Sequence, residues 1–127
     1  LDPPHIGTRP TTSVPSVRRI VVNRANGQRP VRMPAGKAHQ FHRHPELEEI
    51  IYVLSGRAEQ WVNDECRELG PGEAAHIPEN VVHGTYNTSI EPLDFLAILS
   101  PAHFNGPALV DVCQEKPWCD MKTPVLY

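Results

Sequence analysis

The sequence predicts an all-β protein, a sandwich or barrel of short strands, and two observations carry the prediction. Fourteen prolines and eight glycines are scattered through short runs of Val, Ile, Leu and Tyr, punctuation that interrupts long helices but leaves room for strands. Turn-forming groups then recur every several residues, at Asn26-Gly27, Ser55-Gly56 and Gly70-Pro71-Gly72, as in chains of hairpin-connected strands.

Taken in order, residues 1–16 carry Pro3, Pro4, Pro10 and Pro15 among Thr and Ser, which denies them a helix and predicts an extended N-terminal arm. The barrel is expected over residues 17–100. Its first two strands, 17–22 and 28–33, read as a hairpin closed by Asn26-Gly27, both of which tolerate positive φ. Further strands are expected at 38–44, 49–54, 57–62, 74–77, 82–87 and 93–99, with an additional turn at Asn63-Asp64-Glu65. Residues 101–127, with Pro107, Pro117 and Pro124, are expected to form an irregular tail folding back over the barrel.

Size and charge limit what the chain can do. Its 127 residues make one domain with a real core but no second catalytic module. Twelve Lys and Arg against 15 Asp and Glu leave a net charge of -3 with no basic block, which argues against nucleic acid as a partner. No apolar run reaches the roughly 20 residues of a membrane helix, and the opening LDPPHIGTRP lacks the layout of a signal peptide. A soluble protein with no membrane contact is expected. Cys66, Cys113 and Cys119 are odd in number and form no Cys-x-x-Cys pair, pointing to a reducing compartment, the cytoplasm, although Cys113 and Cys119 are near enough in sequence to bridge under oxidation.

The segment HQFHRHPELEE, residues 39–49, holds three histidines and three glutamates. Residues two apart on a strand share a face, so His42 and His44 point together and Arg43 points away. Two imidazoles inside a barrel are costly without partners, and a metal is the natural one. Glu46, Glu48 and Glu49 could each return a carboxylate. Glu49 is the best third ligand, because Ile51 and Val53 share its parity and continue its face into apolar residues. His83, at the head of a later strand with Asn87 on the same face, completes the set. His39 differs in parity from His42 and is expected to face outward on a regular strand, and nothing in the spacing of His76 ties it to the others. Gln40 shares parity with His42 and is a candidate pocket residue. Asn87 either orients a ligand or is a packed amide, and Trp61 is either a pocket wall or a dimer contact.

Residues 36–56 read G-x5-H-x-H-x4-E-x6-G, through Gly36, His42, His44, Glu49 and Gly56, and residues 72–87 read G-x5-P-x-N-x2-H-x3-N, through Gly72, Pro78, His83 and Asn87. These resemble the two motifs of the cupin superfamily, with a short stretch between them as in small single-domain members. Asn80 stands where the family usually has Gly, and Asn is the residue that best replaces Gly in a left-handed turn. The resemblance implies a double-stranded β-helix, or jelly-roll barrel, in which His42, His44, Glu49 and His83 hold one divalent ion.

Three nitrogens and one oxygen suit Fe(II), Mn(II), Ni(II), Zn(II) or Cu(II). Four protein ligands leave two adjacent positions on a six-coordinate ion, room for a small substrate with or without O₂. The expected function is that of a metal-dependent enzyme, a mononuclear Fe(II) (di)oxygenase acting on a small polar or aromatic molecule, with no catalytic residue assigned beyond the metal ligands. The alternatives are a redox-neutral isomerase or lyase, which needs a general base not placed on the interior face, and a non-catalytic binding domain. A homodimer is expected, because open edge strands need covering and the N-terminal arm suits crossing to a neighbour.

Overall fold

Alternation of inward apolar and outward polar side chains sorts the strands into two facing antiparallel sheets. The structure, a computed structural model, describes residues 30–125 and the backbone of two short strands before them. The elements are β1 (Ile6–Gly7), β2 (Val21–Val22), β3 (Val31–Met33), β4 (Ala38–Arg43), β5 (Glu48–Ser55), β6 (Ala58–Val62), β7 (Glu65–Leu69), β8 (Ala74–Ile77), β9 (His83–Tyr86), β10 (Leu93–Ser100), β11 (Val110–Asp111) and α1 (Trp118–Met121).

The first sheet has the order β1-β8-β5-β10-β2, with β3 also pairing with β10; the second has the order β11-β4-β9-β6-β7. From β3 to β11 the chain changes sheet at every step except between β6 and β7. That winding between two sheets is the jelly roll the motifs implied. Between the sheets lies a core of Ile51 and Val53 from β5, Leu93, Phe95 and Ala97 from β10, Ala58 and Val62 from β6, and Ala75 and Ile77 from β8. The turn after β5 requires Gly56: its φ is +84°, and a Cβ there would lie 2.4 Å from the Pro92 carbonyl oxygen.

The outer face of the second sheet is also apolar. Phe41 and Tyr86 project from it and are covered by Val112, Cys113, Trp118 and Met121 of the C-terminal segment. Cys113 and Cys119 are separate free thiols.

Three elements lie outside the sequence expectation: β7, whose Glu-Cys-Arg-Glu-Leu is exposed up to Leu69 and so shows no apolar alternation; β11, only two residues long; and α1, a single helical turn. The turn at Asn26-Gly27 lies outside the described residues, but the expected hairpin is not formed by the strands on either side of it: Val21–Val22 and Val31–Met33 each pair with β10 and, among the described residues, not with each other. The N-terminal arm also lies outside the described residues apart from Ile6–Gly7, which pairs with β8.

Candidate metal centre

Four residues from three strands and one turn converge at one end of the barrel. His42 lies near the end of β4, directly opposite His83 at the start of β9. His44 follows immediately after β4, and Glu49 is the second residue of β5, on the inner face it shares with Ile51 and Val53. All four are buried, with exposures of 8% for His42 and His44, 6% for Glu49 and 1% for His83. One donor atom from each lies within 4.8 Å of all the others.

Hydrogen bonds fix which atoms face the centre. Each Nδ1 lies against a main-chain carbonyl: His42 against Gln40 at 2.6 Å, His44 against Ala108 at 2.7 Å and His83 against Val81 at 3.0 Å. If each Nδ1 carries the proton and donates it to its carbonyl, each Nε2 presents a lone pair inward. Yet Glu49 Oε1 lies 2.8 Å from His83 Nε2 and 3.2 Å from His44 Nε2. A neutral imidazole has one N–H, so His44 and His83 cannot donate at both nitrogens without becoming cationic. A cation placed among the three Nε2 atoms and Glu49 removes the conflict, with every Nδ1–H retained. The donor set therefore fits a divalent metal, and its three nitrogens and one oxygen match the metals named above.

The electrostatics of His42, His44 and Glu49 show the same tension. Burial, reinforced by the nearby His83, pushes His42 down to about 3. Burial would raise the Glu49 carboxyl, but hydrogen bonds and charge from His44 and His83 hold it at about 2. His44 is depressed by burial but raised overall by Glu49 and by the Ala108 carbonyl.

The remaining predicted residues take other places. Gln40 does not line the interior: its Nε2 donates to the Val125 carbonyl at 2.7 Å and its Oε1 accepts the Val125 N–H at 2.8 Å, so it clamps the C-terminal segment. Trp61 has the parity of Glu59, to which its Nε1 donates at 2.8 Å, and its ring meets Phe41 at 5.7 Å on the outer face, beneath the C-terminal segment. It is therefore not a pocket wall. Asn87 is a packed amide, donating to the carbonyls of Met33 and Glu91 and accepting from Ser89. Glu46 accepts the Asn105 N–H, and Glu48 faces His76 Nε2 at 3.1 Å. Asn80 holds φ at +64°, and its side chain accepts from Arg43 at 2.7 Å.

His39 corrects the parity argument. The pairing of β4 with β9 shifts between His39–Thr85 and His42–His83, so Gln40 and Phe41 together stand opposite Gly84 alone. This β-bulge turns His39 to the face of His42. Its ring meets the buried Phe95 edge-on at 5.8 Å, and Glu49 and His83 both bear on its charge. The signal was Gly84 within a strand, which marks a bulge or a close approach; a Cβ there would lie 2.8 Å from the Tyr86 ring and 3.3 Å from the His39 carbonyl oxygen. Two other interior polar residues escaped sequence reasoning: Gln60, fully buried, whose Oε1 accepts from Thr85 Oγ1 at 2.6 Å. Thr85 shares parity with His83, which the sequence already placed inward, and Gln60 shares parity with Ala58 and Val62, which the structure buries in the core.

Comparison with known proteins agrees with this geometry. A family model for the cupin domain matches residues 30–99, more than half of the chain. The glucose-6-phosphate isomerase of Thermococcus kodakarensis is 36% identical over 67 residues, 49% of this chain and 35% of that protein. The quercetin 2,3-dioxygenase of Bacillus subtilis is 30% identical over 71 residues, 56% of this chain and 21% of that protein. Oxalate decarboxylase of Bacillus subtilis superposes with a TM-score of 0.61 and 25% identity, covering 76% of this chain and 24% of that one. The chain spans between 21% and 57% of the length of the curated relatives it matches. With its two motifs, its sheet winding and the family match in agreement, the chain belongs to the cupin family.

Proposed function

We propose that the chain is a mononuclear metal-dependent enzyme acting on a small molecule, with His42, His44, Glu49 and His83 holding one divalent ion. The observation that carries this reading is the pair of buried imidazoles, His44 and His83, each with an acceptor at both nitrogens. When bound, the ion supplies Lewis acidity and, as Fe(II), electron transfer to O₂. The chain's own part is to fix the imidazoles through three carbonyls and to keep all four donor residues buried. Three neutral imidazoles, one carboxylate and a divalent ion sum to a single positive charge, so the centre favours an anionic or oxygen-rich ligand.

The activity we favour is Fe(II)-dependent dioxygenation of a small polar or aromatic molecule, supported by the open coordination of a four-ligand site and by the likeness to quercetin 2,3-dioxygenase. A redox-neutral isomerase or lyase is the second reading. It is supported by His39 on the inner face, which supplies the base whose lack counted against it, and by the likeness to an isomerase and a decarboxylase. Oxygen uptake by the Fe(II)-loaded protein against catechols, diketones, flavonols and thiols, with His42→Ala as control, separates the two. Metal-dependent uptake with one class establishes the first. No uptake with one metal bound per chain moves the reading to redox-neutral chemistry, and no turnover of any kind leaves a binding domain.

A further inference from the structure

We propose that His39 accepts a proton from the small molecule held at the four-residue centre and passes it to solvent. This rests on reading the centre as a metal-holding enzyme site. The geometry has three parts. The bulge in β4 brings His39 to the inner face, opposite Thr85. Its ring meets the buried Phe95 edge-on at 5.8 Å, and among the described residues no hydrogen bond holds it. The residue is also exposed, so a proton on its ring has a route to water.

A proton acceptor must be uncharged when it acts. Although one edge is exposed, partial desolvation of the ring lowers the affinity of His39 for a proton; Glu49 on β5 opposes this and His83 on β9 adds to it. Phe95 on β10 contributes no charge, and His42 lies beyond the bulge on β4 itself. In the proposed step an O–H or acidic C–H bond of the ligand breaks, an N–H bond forms on the imidazole and the electron pair stays on the ligand. Water at the exposed edge then removes the proton. No oxidant is consumed, so the step serves either an oxygenase that needs a deprotonated substrate or an isomerase that needs an enolate.

The test uses the Zn(II)-loaded chain and 4-nitrocatechol, whose visible absorption reports how many of its hydroxyls have lost their protons. The unaltered chain is expected to bind the probe fully deprotonated near neutral pH. His39→Ala is expected to keep the same zinc content but to bind roughly tenfold more weakly, with full deprotonation reached only at higher pH. His39→Gln, which hydrogen-bonds but cannot take a proton in this range, should behave like His39→Ala. Identical affinity and colour in His39→Ala at every pH would overturn the proposal, as would full rescue by His39→Gln. If the unaltered chain takes up no zinc, the metal reading itself fails and the proposal falls with it; zinc bound with a colour indifferent to His39 overturns the proposal alone.

Discussion

Asn87 and His83 lie four residues apart, each polar and each only 1% exposed, and their burial is resolved by opposite means. The Asn87 amide donates to two carbonyls, of Met33 at 3.1 Å and Glu91 at 2.7 Å, and accepts from the N–H and hydroxyl of Ser89. Its hydrogen-bonding capacity is met within the protein. His83 sits between the Val81 carbonyl and the Glu49 carboxylate, two acceptors for a ring that in its neutral form has one proton to give. A buried polar group satisfied by its own chain is part of the frame, whereas one surrounded by acceptors calls for a positive charge from outside. On this criterion the Asn87 corner belongs to the frame, and the His83 end is where the proposed metal site lies.

The comparison can be broken most directly at His83. His83→Ala should leave the barrel folded, judged by circular dichroism, while metal affinity falls by about a hundredfold or more, since even groups that merely orient a ligand contribute about 10- to 100-fold. Full metal occupancy in that variant would erase the distinction. Asn87→Ala should do the reverse, destabilising the fold by about 2–4 kcal/mol in chemical denaturation, because several buried groups lose partners at once, with metal content per folded chain unchanged. Thr85→Val sharpens the boundary between the two regions: it strips the Gln60 amide oxygen of its 2.6 Å donor and should cost about 1–3 kcal/mol without changing metal stoichiometry.

The smallest effect is expected far from the centre, at Asp94. Hydrogen bonds from Arg32 and Ser55 hold its carboxyl below the ordinary range. A carboxyl whose affinity for protons is lower in the folded state stabilises the fold above its unfolded pKa, and that contribution is lost as pH falls through the folded value. Asp94→Asn should therefore lower thermal stability slightly at neutral pH and make it less sensitive to acid. A melting curve with unchanged acid sensitivity would contradict this.

The four centre residues were legible because the rule of period two holds where it was applied: His42 and His83 face each other across a regular pair, and Glu49 shares its face with Ile51 and Val53. The rule failed where the backbone departs from it. The bulge opposite Gly84 inverts His39 and Gln40, sending the first inward and the second to the main chain of Val125. Trp61 was ambiguous because its outer face is apolar too, under a C-terminal segment whose docking depends on Phe41, Tyr86 and Trp118 meeting across long sequence separations. The β7 strand was missed because both its faces are exposed until Leu69, leaving no hydrophobic pattern to read. The Ala108 carbonyl that orients His44 has no signature in residue type, since every residue carries a carbonyl.

The central claim is that His42, His44, Glu49 and His83 hold one divalent cation, and titration of the metal-free chain with Co(II) tests it most directly. The account predicts a visible d–d band of nitrogen and oxygen ligation that saturates at one equivalent per chain and is absent in His83→Ala. A band that never saturates, or one that persists unchanged in the variant, would contradict it.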